Sequence, residues 1–246
     1  MIISFFEEFP SEKNLEKIRL VDFPTKLYIA SKSLKNFKKI KITSKFVKEV
    51  VYWPVLDFNE GYWMSPFSKR KALKKVIDET ENLNILWDAE WPKKRSLVLL
   101  NAFQFFGNRK LIKRFFKKHK GTIYTAEYFP EKGFFAKLLV FFGLSFDPNK
   151  YGSKMIKMIY SSMHDYGKNF IKKEVEFGVK NYGNNFLVAL GTIAVGIKGD
   201  EDILDLKVLE RDLGICKKAG VNEVIVFRLG GLDKDYLKII KKIESS

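Results

Sequence analysis

Three stretches of the chain end an apolar run in carboxylates, followed by an aromatic residue and a proline. They are Glu7-Glu8-Phe9-Pro10, Asp88-Ala89-Glu90-Trp91-Pro92 and Glu127-Tyr128-Phe129-Pro130. The proline stops a sheet ladder and holds its predecessor extended, but it makes no demand for acids. Carboxylates brought close together do have a chemistry. Burial and mutual repulsion raise one pKa above another, so one residue type supplies both an acid and a base. Side chains alternate along a strand, which puts Asp88 and Glu90 on one side, roughly 7 Å apart along the chain. The plainer reading is that these acids are solvated caps at the starts of helices, where negative charge is favourable.

The elements that would position these acids follow one repeated grammar. A short apolar, β-branched or aromatic run is followed by a Lys-rich amphipathic stretch. Strands are predicted over Ile2–Phe6, Leu27–Ala30, Lys48–Val55, Asn84–Glu90, Thr122–Glu127, Met155–Ser162, Asn185–Leu190 and Glu223–Arg228. Ser11 opens a first helix as its N-cap. Helical patterns follow over Ser33–Lys39, Lys69–Thr80, Ser96–Lys118, Phe134–Phe142, Tyr166–Asn181, Leu204–Ala219 and Lys234–Ile243. Gly121, Gly183 and Gly220 each precede a strand, where a left-handed helix stop is expected.

Eight βα units at a spacing of roughly 20 to 40 residues describe a (β/α)8 TIM barrel, an α/β fold. An open doubly wound sheet would carry a Gly-rich turn after its first strand, and here that position reads Glu7-Glu8-Phe9-Pro10. No linker or composition break divides the chain, so residues 1–246 are expected to form a single domain.

In such a barrel the chemistry sits at the C-terminal ends of the strands. If Leu86 fills the interior, Asp88 and Glu90 crown it, and Glu127 joins from the next strand in line with Ile123 and Thr125. For the first strand the interior set is either Ile2, Ser4, Phe6 and Glu8 or Ile3, Phe5 and Glu7; Glu8 is preferred. Asp88-Ala89-Glu90 also resembles the Asp-x-Glu ending of the fourth strand in chitinase-type and lysozyme-type glycoside hydrolase barrels (families 18 and 25). The resemblance implies Glu90 as proton donor and Asp88 as its partner; the convergence of strand ends adds Glu127 or Glu8 as an assisting carboxylate. The longer chitinase pattern is not kept: Leu83 and Leu86 stand where further Asp would be.

Aromatics near these ends suit a sugar, since ring faces pack on the apolar faces of pyranoses. Tyr62, Trp63, Trp91 and Tyr128 are candidate substrate contacts, together with Glu60 of the long loop after the third strand. By alternation Trp87 points to the helix layer instead. His164 after the sixth strand is placed to act as an acid–base group or ligand, whereas His119 ends a helix and is given no function.

Glycosidic cleavage by carboxylates needs no cofactor, but Asp88, Glu90 and Glu127 would also suit Mg²⁺ or Mn²⁺ in a metal-dependent phosphodiesterase. Arg228 and the glycines of Gly191-Thr192 and Gly230-Gly231 extend that alternative to a phosphorylated small-molecule substrate. A simpler role for Arg228 is pairing with Glu8 or Glu127. Lys157, inside an apolar strand, would form a Schiff base if desolvated or snorkel if not. A non-catalytic carbohydrate- or lipid-binding barrel is the remaining alternative.

The chain carries 45 Lys+Arg against 29 Asp+Glu, a net charge of +16. Hydrophobic residues at 46% exclude a disordered chain, and a lone Cys216 excludes a disulfide scaffold or cysteine zinc cage. The lysines spread over many helices without a nucleic-acid motif, so nucleic acid is not the expected partner. Phe134–Leu144, however, is apolar nearly all round. An outer helix of that kind packs on a second copy in a homodimer or dips into an anionic membrane surface. With no cleavable leader and no apolar run of membrane-spanning length, the expectation is a cytoplasmic protein, with peripheral membrane association as the further option.

Overall fold

A computed structural model describes residues 1–245. Eight parallel strands close into a barrel in sequence order: β1 (Ile2–Glu7), β2 (Thr25–Ser31), β3 (Val47–Pro54), β4 (Ile85–Asp88), β5 (Ile123–Tyr128), β6 (Lys154–Ile159), β7 (Phe186–Gly191) and β8 (Glu223–Phe227). The seam between β1 and β8 is a full ladder from Ile2↔Glu223 to Phe6↔Phe227, whereas β3 and β4 pair only at Tyr52↔Ile85. The (β/α)8 expectation is met.

The helices of the outer layer are α1 (Glu12–Glu16), α2 (Leu34–Phe37), α3 (Arg70–Glu79), α4 (Ser96–Leu100), α5 (Phe105–Lys118), α6 (Phe134–Phe142), α7 (Pro148–Tyr151), α8 (Lys168–Tyr182), α9 (Leu206–Lys218) and α10 (Lys234–Ser245). Ser11 caps α1 as expected, its Oγ accepting from the Asn14 amide. The single helix predicted over Ser96–Lys118 is broken after Leu100. There Asn101 donates its side-chain amide to the Phe67 carbonyl at 2.7 Å, a tertiary bond that a periodicity pattern does not contain. Gly183 and Gly220 adopt positive φ as expected; Gly121 does not, and instead a Cβ there would overlap the Leu83 carbonyl.

Alternation sorts every strand into two sets. Phe6, Tyr28, Trp53, Leu86, Tyr124, Ile156, Leu187 and Ile225 fill the barrel, while Ile3, Phe5, Leu27, Ile29, Val188 and Val224 face the helices. Trp87 packs between Phe115 and Phe116, with ring centroids 5.6 and 5.5 Å away, in the helix layer as expected. At the N-terminal end of the barrel, Glu223 accepts from Ser4 Oγ at 2.7 Å, Tyr28 OH at 2.8 Å and Lys26 Nζ at 3.0 Å. That plug satisfies a buried carboxylate away from the opposite rim.

Candidate active site

The interior set continues upward past the strands. Because Asp88 registers with Ala126, and both share a face with Leu86, Glu90 one step beyond the strand stays on that face. Phe6 likewise carries Glu8 inward. Glu8, Asp88 and Glu90 thus line one narrow cavity of about 100 Å³ at the C-terminal rim. Its walls include Trp53, Trp63, Tyr128 and Tyr160, with His164 and Lys198 also lining it.

Each carboxyl is held differently. Glu8 accepts from Tyr62 OH at 2.8 Å and from the Ile197 amide at 3.0 Å. Tyr62 stands at φ 66, in the left-handed region, following Gly61. A non-glycine residue there costs on the order of 1 kcal/mol or more, and the loop is kept in place by Leu56 N–H to Tyr62 O at 2.7 Å and Met64 N–H to Asp88 O at 2.9 Å. Burial pushes the Glu8 carboxyl up to about 7, with Glu90 and Glu201 adding to the rise and the two hydrogen bonds opposing it.

Asp88 is buried, with Oδ1 lacking any hydrogen-bond partner. Burial first, then the negative charge of Glu90 and Glu8, holds its carboxyl well above the usual carboxylate range. Glu90 is raised by burial too, but Lys198, Tyr128, Asp88 and Arg95 all pull the other way. The two acids titrate as a pair, and burial raises both carboxyls.

Glu127 is a correction. Its register neighbour on β6 is Lys157, and both point outward into the helix layer. Ile123 and Thr125 do lie in phase with Glu127, but that phase is the outer one; Tyr124, Ala126 and Tyr128 face inward. Glu127 accepts from Thr125 Oγ1 at 2.6 Å, from the Phe146 amide at 2.9 Å and from Lys157 Nζ at 3.0 Å. Lys157 also meets Glu131 at 2.9 Å. Burial alone would lower the Lys157 pKa, but the two carboxylates outweigh it and raise it, which keeps the lysine a cation and neither a Schiff-base nucleophile nor a snorkelling side chain.

Other expected contacts also lie apart from the cavity. Arg228 pairs with neither Glu8 nor Glu127. It meets Glu7 at 3.2 Å, gives Nε–H to the Val195 carbonyl at 2.9 Å and stacks on Phe9. Glu7 also takes the Gly230 amide at 2.7 Å, so a backbone N–H expected for phosphate is already filled by a carboxylate of the chain. The Thr192 amide is taken by Ser162 Oγ at 2.8 Å. Trp91 turns away to stack on Phe67 at 5.2 Å and lies 5.1 Å from Phe142. Glu60 sits in a short helical turn behind the loop, its carbonyl accepting from the Lys69 amide. With Glu127 on the other side of the wall, the expected metal set of Asp88, Glu90 and Glu127 is not assembled. Among the described residues no group of three or more His, Cys, Asp or Glu side chains has the arrangement to hold a metal ion.

The sequence reading missed Tyr160 and the loop after β7. Tyr160 lies in phase with Ile156 and Met158, a signal that was present in the strand. In the loop, Glu201 collects the amides of Gly196, Lys198 and Gly199 at 3.1, 3.2 and 2.9 Å. That turn delivers the Ile197 amide to Glu8 and brings Lys198 to the rim. A Cβ on Gly196 would stand 2.9 Å from Glu8 Oε2 and from the tip of the Phe227 ring, so a side chain there would push on the Glu8 carboxyl.

No family model matches the chain, and no curated protein matches it in sequence. Solved structures do match it as a whole. They include a class V chitinase from Pseudomonas fluorescens (8% identity, TM-score 0.57, 99% of both chains covered). A chitinase from Chromobacterium violaceum follows (9% identity, TM-score 0.55, 100% of this chain and 99% of that one). The spore cortex-lytic enzyme SleL of Bacillus megaterium is a third (10% identity, TM-score 0.54, 97% of this chain and 73% of that one). At such identities the likeness is one of fold: the chain shares the eight-stranded barrel of these structures.

Proposed function

We propose that the chain hydrolyses a glycosidic bond in the cavity at the barrel rim. The observation that carries this reading is the meeting of Asp88 and Glu90, stacked on one strand end, with Glu8 inside a cavity walled by Trp53, Trp63, Tyr128 and Tyr160. Glu90, half-buried at the top of the pair, passes the proton that it shares with Asp88 to the leaving oxygen, and Asp88 beneath it supports that transfer. Glu8 supplies the second carboxyl. With a pKa near 7 it is partly ionised at neutral pH, and its anion balances positive charge on the sugar and receives the proton of the attacking water. The aromatic walls stack on the ring, and His164 and Lys198 contact its substituents. The barrels of similar fold whose names carry chitinase support a polysaccharide of amino sugars as the first substrate to try.

The test is a panel of aryl glycosides and chitooligosaccharides, with bis(4-nitrophenyl) phosphate as the control chemistry. Release from a glycoside that Asp88→Asn abolishes is the expected result. Turnover of the phosphodiester alone, stimulated by Mg²⁺ or Mn²⁺, would overturn the reading.

A further inference from the structure

The face formed by α4, α5 and α6 is unlike the rest of the outer layer. Leu99 is 82% exposed, Phe103 80% and Phe134 76%, and Leu100, Phe106 and Phe141 are also open to solvent. These side chains form one surface. Phe106 packs on Phe105 at 5.0 Å, Phe105 lies 6.0 Å from Phe141, and Phe134 and Phe141 share a helix face seven residues apart. Leu139 is the one buried residue of α6, Phe142 packs inward on Trp91, and Phe134, Phe135, Val140 and Phe141 are exposed.

Directly beside this surface runs a groove of about 580 Å³ lined by Phe106 with Arg109, Lys110, Lys113, Lys117 and Lys150, and by no acidic residue. Arg114 and Lys118 edge it as well, but they also face Asp78 and Glu81 in a neighbouring depression. The guanidinium of Arg109 lies 5.9 Å over the Phe141 ring, joining groove and apolar surface, and its Nε–H is buried without a hydrogen-bond partner. Partial burial, then Arg109, Lys150 and Lys117, lowers the Lys113 pKa, a crowding that an anion would relieve. None of the five cations forms an ion pair among the described residues. No helix among those residues is long and apolar enough to cross a membrane.

We propose that this face docks on an anionic phospholipid bilayer, with Leu99, Phe103, Phe106 and Phe134 entering the acyl boundary and the Arg109–Lys150 groove receiving headgroup phosphates. Apolar residues bordered by a band of cations are what an interface of this kind selects. A symmetric second copy would bring the same cations against each other. A nucleic acid would use the cations and stack on the rings, but the aliphatic Leu99, Leu100 and Val140 offer bases nothing to stack on. Trp91, one residue after Glu90, packs on Phe142 under the same surface, so docking would bring the cavity rim close to the bilayer.

Flotation with phosphatidylcholine vesicles, with and without phosphatidylglycerol, tests this independently of any catalysis. Wild type is expected to float with the anionic vesicles on the order of tenfold more than with the neutral ones. Phe103→Glu with Phe106→Glu, and separately Lys110→Glu with Lys113→Glu, are each expected to lower that binding on the order of tenfold at unchanged thermal midpoint. Leu99→Ser serves as a milder variant of the apolar surface. Binding that survives the Phe and Leu changes and fails only with the Lys changes overturns insertion in favour of a polyanion groove. A dimer by light scattering that Phe103→Glu dissolves, with no vesicle binding, assigns the face to a second copy and overturns the proposal.

Discussion

Two sets of carboxyls lie on opposite sides of the same barrel wall, and they differ in what surrounds them. Outside, Glu127 and Glu131 close on Lys157, and Glu7 meets Arg228. Inside, Glu8, Asp88 and Glu90 face one another, and none of them forms an ion pair among the described residues. Burial raises the pKa on both sides, as Glu7 and Glu131 show. On the outer side a cation opposes that rise, while for Asp88 and Glu8 inside, neighbouring carboxyls add to it. A buried carboxyl is thus a structural anion or a proton store according to its neighbours, and depth alone does not separate the two.

Removing the outer cation should have the largest effect. Lys157→Met leaves Glu127 and Glu131 buried without a counter-charge, and urea denaturation should show a loss of about 3–5 kcal/mol. Turnover per folded molecule should not change; if stability holds, the outer set is not the anchor described here.

The inner set predicts that stability falls as pH rises, through a window set by Glu8. The folded-state pKa of Glu8, about 7, lies above its ordinary 4.5. Its contribution is therefore fully present below 4.5 and is lost as pH rises through about 7. Wild-type stability should fall across that window by up to about 3 kcal/mol, and Glu8→Gln should flatten the fall. A profile that Glu8→Gln leaves unaltered would remove Glu8 from the proton store. A smaller effect follows from Tyr62→Phe, which deletes one hydrogen bond to Glu8 worth about 1 kcal/mol. The Glu8 pKa should then rise further, and the acidic limb of the rate profile should move to higher pH.

These differences also mark how much the amino-acid sequence discloses. Eight βα repeats define the barrel, and spacing within β4 places Leu86, Asp88 and Glu90 together, since that relation is local. Glu127 shows where local reasoning stops. Alternation ties it to Ile123 and Thr125, but only the pairing of Asp88 with Ala126 across the ladder says which phase faces in. The Ile197 amide and Lys198 were not legible, because they reach the rim through a turn folded around Glu201 and closed against Glu8 from the far side of the ring. Trp91 and Arg228 were misplaced for a related reason: both stand next to the rim in sequence and turn outward to better partners, Phe67 and Glu7.

The most direct test makes one chemical change on each side of the wall and reads turnover and unfolding for both. Glu90→Gln should lose on the order of 10²–10⁴-fold in kcat on whichever glycoside the wild type cleaves, at an unfolding midpoint no lower than wild type. Glu127→Gln should keep kcat per folded molecule and unfold at lower urea. Full turnover by Glu90→Gln, or lost turnover by Glu127→Gln at wild-type stability, would contradict the assignment of inner carboxyls to chemistry and outer ones to structure.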